Sequence, residues 1–187
     1  MTDTELLVRL RNGDETAFRE LVTQFRDNVF NTTLGLIQNN MDAEDIAQEV
    51  FIQVYHSINQ FKGDATLATW IYRITVNKSL DHLRSKKRKK RFGFITNLFG
   101  ENNEPKFETG DFNHPGVQAE RKEDAALLFR CIDLLPANQK TAFILNKVED
   151  LGYREIAAIL NTTEAAVDAL LQRAKQNLRK RINDSLG

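Results

Sequence analysis

One stretch near the end of the chain decides the fold class: GYREIAAILNTTEAAVDALLQRAKQNLRKR, residues 152–181. Its apolar residues recur at helical spacing in two segments, 153–160 and 164–182. Between them, Asn161-Thr162-Thr163 forms a short connector in which either threonine can cap the second helix. Two helices joined by such a turn predict a helix-turn-helix, whose second helix enters the major groove of DNA.

The face of the second helix opposite its apolar stripe supplies the candidate DNA contacts. These residues are Glu164, Ala165, Asp168, Ala169, Gln172 and Arg173. The amide and the guanidinium can donate to base edges, whereas the two carboxylates can only accept. A plain helical hairpin is the alternative interpretation. The cations from Arg173 to Arg181, Lys175 among them, favour the helix-turn-helix because they suit phosphate contact.

Glycine and proline predict where the chain divides. Four of the nine glycines and two of the three prolines fall within residues 92–121, which indicates a linker. The rest of the chain shows helical periodicity and no strand-like alternation. We therefore expect an all-α protein with two small helical domains, residues 1–91 and 120–187, joined by a flexible acidic linker at 92–119.

The helix boundaries follow from caps and periodicity. Asp14 should cap a helix that begins at Glu15 and reaches about Leu34. Further helices are expected from near Asp42, over about 66–88, and at about 118–134, 137–149, 153–160 and 164–182. An apolar cluster at 92–99 is left with two interpretations, a short helix capping the first domain or a segment that binds a partner groove.

The formal net charge of zero hides strong charge segregation. Residues 84–91 contain seven basic side chains and no acidic one, whereas no lysine or arginine occurs between Asp27 and Phe61. Charge that is segregated in this way predicts that the basic segment and the segment without cations bind different partners. Within the second stretch, Asp42, Asp45 and Glu49 form an acidic ridge at helical spacing. The ridge is either a solvated helix face or a docking surface for a basic protein.

A polar stripe accompanies aromatic residues on the helix predicted over about 66–88. Thr69, Arg73 and Asn77 follow one another at helical spacing, with Trp70 and Tyr72 among them. Rings that stack on bases, beside cations and amides, are what single-stranded nucleic acid requires. Trp70 can also be core, and partial burial is expected in either case. The basic run at 84–91 extends this surface for duplex phosphates.

Signatures of catalysis and export are missing from the sequence. The three histidines share no metal-ligand spacing with the single cysteine, Cys131, and there is no glycine-rich phosphate loop. We therefore expect no enzyme activity, no cofactor and no metal. The chain also shows no apolar signal core or membrane span, and one buried cysteine fits a reducing compartment, so we expect a cytoplasmic protein.

In combination, these motifs resemble the sigma-70 family of bacterial RNA polymerase specificity subunits, in particular its small extracytoplasmic-function group. DAEDIAQEVFIQVY (42–55) is similar to the polymerase-clamp-binding segment, and FKGDATLATWIYRITVNKSLDHLR (61–84) to the part that recognises and melts the −10 element. LLPANQKTAFILNKVEDLGYREIAAILNTTEAAVDALLQRAKQNL (134–178) is similar to the −35-binding region. The resemblance covers about 9–91 and 120–183.

The resemblance implies three functional surfaces. The polymerase-binding residues would be Asp42, Asp45, Gln48 and Glu49. The −10 DNA-binding residues would be Phe61, Lys62, Asp64, Thr69, Trp70, Arg73, Asn77, Arg84, Lys86, Lys87 and Arg88. The −35 DNA-binding residues would be Thr163, Glu164, Ala165, Asp168, Ala169, Gln172, Arg173 and Lys175.

A sigma factor of this kind would bind core RNA polymerase through the clamp and flap, direct it to promoters and help to melt the −10 element. Its other partners would be promoter DNA, double- and single-stranded, and an anti-sigma factor. The alternative is a stand-alone helix-turn-helix regulator with an N-terminal effector domain, which leaves the acidic ridge without a purpose. A helical adaptor is a third possibility, against which the basic run at 84–91 argues.

Overall fold

The computed structural model describes the backbone of residues 3–97 and 119–186, and the side chains of residues 4–89 and 126–185. All regular structure within these ranges is helical, which confirms the predicted all-α class. The α-helices are α1 (Asp3–Arg11), α2 (Glu15–Ile37), α3 (Asn40–Ser57), α4 (Leu67–Asn97), α5 (Ala119–Asp133), α6 (Ala137–Lys147), α7 (Tyr153–Leu160) and α8 (Glu164–Leu186). Residues 98–118, most of the predicted linker, lie outside the described residues.

The start of α2 is capped as the sequence predicts. The Asp14 carboxylate accepts hydrogen bonds from the backbone N–H groups of Thr16 and Ala17, at 2.8 and 3.1 Å. The helix continues past Leu34 to Ile37. The next residue, Gln38, is left-handed with φ of 57°, and its N–H donates to the Leu34 carbonyl. The cap thus fixes one end of α2, and a left-handed turn fixes the other.

Helix α3 begins two residues before the predicted start because Asn39 caps it. The Asn39 side-chain oxygen accepts from the backbone N–H of Asp42 at 2.9 Å. The helix buries one apolar face, which includes Ile46, Val50 and Val54. The acidic ridge occupies the other side of the same helix, as the periodicity predicts.

Helix α4 extends to Asn97, beyond the predicted end near Arg88. Lysine and arginine are good helix formers and no breaker occurs before Gly93, so the basic run continues the helix. Residues 92–97, which were expected in the linker, are therefore helical. The remaining residues of the apolar cluster at 92–99 lie outside the described residues, and the cluster's role stays untested.

The first helical unit, α1 to α4, encloses a core of its own. Leu21, Val29, Val50 and Val54 are at most 1% exposed and pack with Ile71 of α4. These residues occupy the apolar stripes that the sequence pattern places on each helix. The core thereby fixes α3 beside α4, which positions the acidic ridge next to the polar stripe.

Helices α7 and α8 form the predicted helix-turn-helix. Asn161 ends α7 in the left-handed conformation, with φ of 51°, and the Thr163 hydroxyl accepts from the backbone N–H of Ala166 at 3.2 Å. Ile156 and Val167 are fully buried, so the two helices share one apolar interior. The threonine cap thus orients α8 with its polar face outward.

The two helical units pack against each other. Leu36 of α2 and Tyr72 and Val76 of α4 belong to the same buried cluster as Ile144 of α6 and Ile156 of α7. Local sequence patterns do not predict this contact, because they do not encode which apolar residues meet between distant helices. The second core therefore contains residues from both halves of the chain.

Replacing Asn39 with alanine should destabilise the protein by about 1 kcal/mol, because the Asp42 N–H at the start of α3 loses its acceptor. Urea unfolding followed by circular dichroism measures this difference. Asn39→Ser is the matched control and should stay close to wild type, since a serine hydroxyl can cap the same N–H. Equal stability of the alanine and serine variants would show that this cap is unimportant.

Candidate polymerase and DNA interface

The acidic ridge lies on the solvent side of α3. Asp45 and Glu49 are exposed, Asp42 is half-buried, and Gln48 is exposed beside them. The buried side of the same helix packs on α2 and α4. The four predicted polymerase-binding residues therefore share one surface of one helix, which a partner can reach.

Helix α4 supplies cations to two of the three ridge acids. The Asp42 carboxylate lies 3.0 Å from the ammonium of Lys86 and 3.3 Å from Nε2 of His82. The Glu49 carboxylate lies 3.1 Å from the ammonium of Lys78. Lys78 and His82 were missed as members of this surface, because their pairing depends on how α3 and α4 align. Asp42 and Glu49 are thus each paired with α4, whereas Asp45 is exposed to solvent.

The environment of Asp42 favours its ionised form. Burial by itself raises the pKa of the Asp42 carboxyl, but the hydrogen bond and charge of Lys86, with those of His82, outweigh it. The net pKa of Asp42 is therefore below its usual value. Asp42 thus remains a carboxylate at neutral pH and ties α3 to the basic part of α4.

A groove of about 520 Å³ lies between the outer parts of α3 and α4. It is lined by residues from two of the predicted surfaces. Its lining includes Glu49 from the acidic ridge, Asn77 from the polar stripe and Arg88 from the basic run. A ligand seated in this groove would contact residues of both surfaces. The predicted polymerase-binding and −10-binding residues are therefore neighbours in space.

The loop before α4 contains exposed and buried candidates. Lys62 and Asp64 are exposed on either side of Gly63, whose φ of 81° glycine adopts without strain. Phe61 is only 6% exposed, and its ring packs against that of Trp70 at a centroid distance of 5.2 Å. The Phe61 ring therefore packs in the interior under the loop, while Lys62 and Asp64 are exposed to solvent.

The polar stripe of α4 changes from buried to exposed along the helix. Thr69 is 8% exposed and lies in the first turn, where its hydroxyl is 2.9 Å from that of Thr66. Trp70 is half-buried, which confirms the expected partial burial, and Asn77 is exposed. Further along, the four basic candidates are all exposed: Arg84, Lys86, Lys87 and Arg88.

Arg73, in the middle of this stripe, contacts the other half of the chain. Its guanidinium donates from Nε and from a terminal nitrogen to the backbone carbonyl of Ala158 in α7, at 3.0 and 2.6 Å. The sequence predicted Arg73 as a DNA contact and gave no sign of this bond. In this structure the arginine is therefore bound to the helix-turn-helix.

The outward face of α8 is accessible. Seven of the eight predicted −35 residues are exposed: Thr163, Glu164, Ala165, Asp168, Ala169, Gln172 and Arg173. Lys175 is half-buried, and the opposite face buries Val167 and Leu171. The helical period therefore predicted correctly which side of α8 is exposed.

A metal-binding cluster and a membrane-spanning helix are both missing from the part of the chain that the structure describes. The side chains of residues 4–89 and 126–185 bring together no group of three histidine, cysteine or acidic residues that could hold a metal ion. Within residues 3–97 and 119–186, no helix has the length and apolar character needed to span a bilayer.

Comparison with known proteins identifies the class. Residues 21–89 match Sigma-70 region 2, and residues 125–178 match Sigma-70, region 4. The ECF RNA polymerase sigma-E factor of Haemophilus influenzae is 31% identical over 182 residues, covering 97% of this chain and 96% of that protein. The RNA polymerase sigma-H factor of Pseudomonas aeruginosa is 29% identical over 184 residues, covering 98% and 95%.

Solved structures show the same fold. CnrH, determined in complex with the cytosolic domain of CnrY, superposes with a TM-score of 0.70 at 19% identity, covering 97% of each chain. The sigma factor RpoE of Bartonella quintana, determined with the anti-sigma factor NepR, gives a TM-score of 0.63 at 17% identity, covering 89% of this chain and 96% of that one.

The chain therefore belongs to the sigma-70 family, and it functions as a sigma factor, which binds core RNA polymerase and directs it to promoter DNA. This family comprises transcription initiation factors rather than catalysts. The matched regions also disfavour a stand-alone helix-turn-helix regulator, because region 2 accounts for the acidic ridge and the polar stripe together.

The ion pairs of Asp42 predict a pH dependence of stability. Its folded pKa is lowered, so the stabilisation is complete above the unfolded value of 3.8 and is lost as the pH falls through the folded pKa. Asp42→Asn should therefore lower the free energy of unfolding near neutral pH, and the difference from wild type should shrink below about pH 4. Urea unfolding over a pH series measures it. Glu44→Gln, at an exposed acid of α3, is the control, and equal pH profiles for both variants would contradict the assignment.

Proposed function

We propose that the acidic ridge, with Gln48, is the surface that binds core RNA polymerase, through a basic part of its largest-subunit clamp. The observation that supports this most directly is the exposed acidic face of α3. This face would repel DNA, yet it lies beside the polar stripe of α4, which suits DNA. A protein partner with complementary charge resolves this conflict. Docking there would deliver the polymerase next to the −10 residues.

The three ridge acids would contribute unequally to docking. Asp42 and Glu49 already bind Lys86 and Lys78, so a polymerase cation must share or replace these partners. Asp45 is exposed and can bind a new cation without giving up an ion pair shown here. Exchanging one ion pair for another gains little binding free energy. Asp45 should therefore contribute most of the affinity for polymerase.

We further propose that the loop at 61–65 and the stripe of α4 recognise and melt the −10 element. Extruding a base costs a few kcal/mol, and stacking it on an aromatic ring returns roughly 1–3 kcal/mol. Trp70 offers a partly exposed ring, Asn77 an exposed amide, and Lys62 an exposed cation. The basic residues from Arg84 to Arg88 would bind the duplex phosphates upstream.

The outward face of α8 is proposed to bind the −35 element. Glu164 and Asp168 face the same side as Gln172 and Arg173, so this module should bind DNA weakly by itself. Two weak modules become effective when the polymerase holds both at a fixed separation, because the second contact is then intramolecular. Promoter occupancy would therefore depend on prior docking to the polymerase.

The domain division proposed from the sequence assigns residues 1–91 to region 2, residues 92–119 to a linker and residues 120–187 to region 4. We also propose that the polymerase flap holds the second domain, that the protein works in the cytoplasm, and that an anti-sigma factor regulates it. The last proposal is supported by the likeness to RpoE of Bartonella quintana, which was solved with its anti-sigma factor.

A double variant that combines Asp45→Lys with Glu49→Lys should abolish polymerase binding without unfolding the protein. Asp45→Lys should weaken binding to core polymerase at least about tenfold, and Glu49→Lys less strongly, because a like-charge contact replaces an attraction. Fluorescence anisotropy with core polymerase measures the affinity, and reconstituted transcription on a promoter library measures the outcome. Asp27→Lys, at an exposed acid of α2, is the matched control. Unchanged affinity in the double variant would refute the docking surface.

Removing the stacking ring and the amide should impair promoter opening more than promoter binding. The Trp70→Ala and Asn77→Ala changes together delete contacts made only by extruded bases. Permanganate reactivity of −10 thymines measures melting, and a gel shift of the polymerase complex measures binding. Asn59→Ala, at an exposed amide before the loop, is the control. Wild-type thymine reactivity in the double variant would contradict the melting role.

A further inference from the structure

The two exposed carboxylates at the start of α8 differ in what the fold explains. Glu164 is the first residue of the helix, where a negative charge interacts favourably with the helix dipole. Asp168 lies one turn further on, where this effect has largely faded. It is exposed, and within the described side chains, residues 4–89 and 126–185, its carboxylate makes no ion pair or hydrogen bond. The folding of this part of the chain therefore does not account for a charge at Asp168.

Other acids in the second half of the chain have structural partners. The Asp133 carboxylate lies 2.8 Å from the ammonium of Lys140. A carboxylate oxygen of Glu155 accepts from the backbone N–H of Gly152 at 2.9 Å and caps the start of α7. Such contacts join helices or hold their ends in place, and Asp168 contributes to none of them.

Asp168 lies where a recognition helix meets base edges. In a helix-turn-helix, the N-terminal residues of the second helix contact the bases, and Asp168 is in the second turn of α8. Its neighbours on the outward face, Ala165 and Ala169, are exposed and small. Because neither neighbour projects beyond a methyl group, the helix can approach the floor of the groove closely enough for a short aspartate to reach a base.

A carboxylate discriminates among bases because it can only accept hydrogen bonds. In the major groove, guanine presents two acceptors and thymine one, and these repel a carboxylate. Adenine presents an amino donor beside the N7 acceptor, whereas cytosine presents its N4 amino group with no acceptor beside it. Cytosine is therefore the base whose edge complements an aspartate best.

Cations further along α8 offset the cost of placing an acid against DNA. Arg173, Arg179 and Lys180 are exposed beyond the first turns of the helix, where they can bind phosphates. Their attraction does not depend on the DNA sequence, whereas Asp168 is repelled by phosphates and by each acceptor on a wrong base. The carboxylate therefore weakens binding to most DNA more than it weakens binding to a matching site, and specificity arises from that difference.

We propose that Asp168 determines promoter specificity: its carboxylate accepts a hydrogen bond from the N4 amino group of one cytosine in the −35 element. The proposal rests on the function proposed above for the outward face of α8. Glu164 lies four residues earlier, which is about 6 Å along the helix axis, or about two base pairs along the DNA. Asp168 therefore controls one base pair independently of Glu164.

Selection of DNA by the reconstituted holoenzyme tests this assignment. Core polymerase with the full chain is incubated with a library randomised over the promoter region, and the bound DNA is sequenced. Wild type should enrich a G·C pair in one orientation, at one −35 position, at least about tenfold over the other three arrangements. Asp168→Ala should lose this preference and keep the −10 preferences, and its helix should form as well because alanine favours helices. Asp168→Asn should shift the preference toward adenine, which an amide binds through N6 and N7.

A cytosine analogue tests the hydrogen bond itself. The base 2-pyrimidinone lacks only the amino group of cytosine, so placing it at the selected position removes the proposed donor. In fluorescence anisotropy, this change should weaken binding of the wild-type holoenzyme about tenfold more than binding of the Asp168→Ala holoenzyme, because the weaker base pairing affects both equally. Asp184→Ala removes an exposed acid near the other end of α8 and is the matched control. This control should behave as wild type in the selection and with the analogue.

The outcomes distinguish this proposal from the promoter function on which it rests. An A·T pair at the position that Asp168→Ala alters, or a −35 profile that this variant leaves unchanged, would overturn the reading of cytosine by Asp168. Equal effects of the analogue on both proteins would overturn it as well. In each of these cases the enriched promoters would still support the promoter function. A holoenzyme that enriches no sequence at all would overturn the promoter function, and this proposal with it.

Discussion

The close approach of α2 and α6 at Gly35 is the constraint on which the arrangement of the molecule depends. Because no side chain separates the two helices there, Ile144 fills the space, and Leu36, Tyr72 and Val76 can join the core of the second half. Across the same contact, the Lys140 ammonium donates to the Leu36 carbonyl at 2.7 Å, and the Tyr72 hydroxyl donates to the Glu149 carboxylate at 2.7 Å. The fit between the two halves of the chain thus depends on the absence of a side chain at Gly35.

The positions of the charged residues then separate an acidic surface on α3 from a basic surface on α4. The acidic ridge and the basic residues of α4 are opposite in sign, and Asp42 and Glu49 connect them across the groove. These partly exposed ion pairs each contribute at most about 1 kcal/mol to stability, so the α2–α3–α4 core holds the helices and the charges remain available for exchange. The zero net charge of the chain thus combines surfaces of opposite sign, and neutrality does not argue against a DNA-binding role.

Local sequence patterns predicted the features that depend on one helix at a time. Caps such as Asp14 and Thr163, the apolar stripe of α3 and the outward face of α8 follow from short-range rules, and the structure confirms them. The pattern misjudged the end of α4, because the linker was placed by the glycines and prolines within 92–121, whereas the helix continues through Gly93 to Asn97. Pairings such as Arg73 with Ala158 could not be predicted, since they arise from packing between distant helices.

The position of Trp70 has a spectroscopic consequence. It is the chain's single tryptophan, it is half-buried, and its indole stacks near Phe61 beside the loop that precedes α4. Intrinsic fluorescence excited at the indole band therefore originates from one place in the molecule. Changes in its emission wavelength or quenching report the surroundings of Trp70, where the loop meets α4 and the core of the first helical unit, so the protein contains a label-free optical probe at this position.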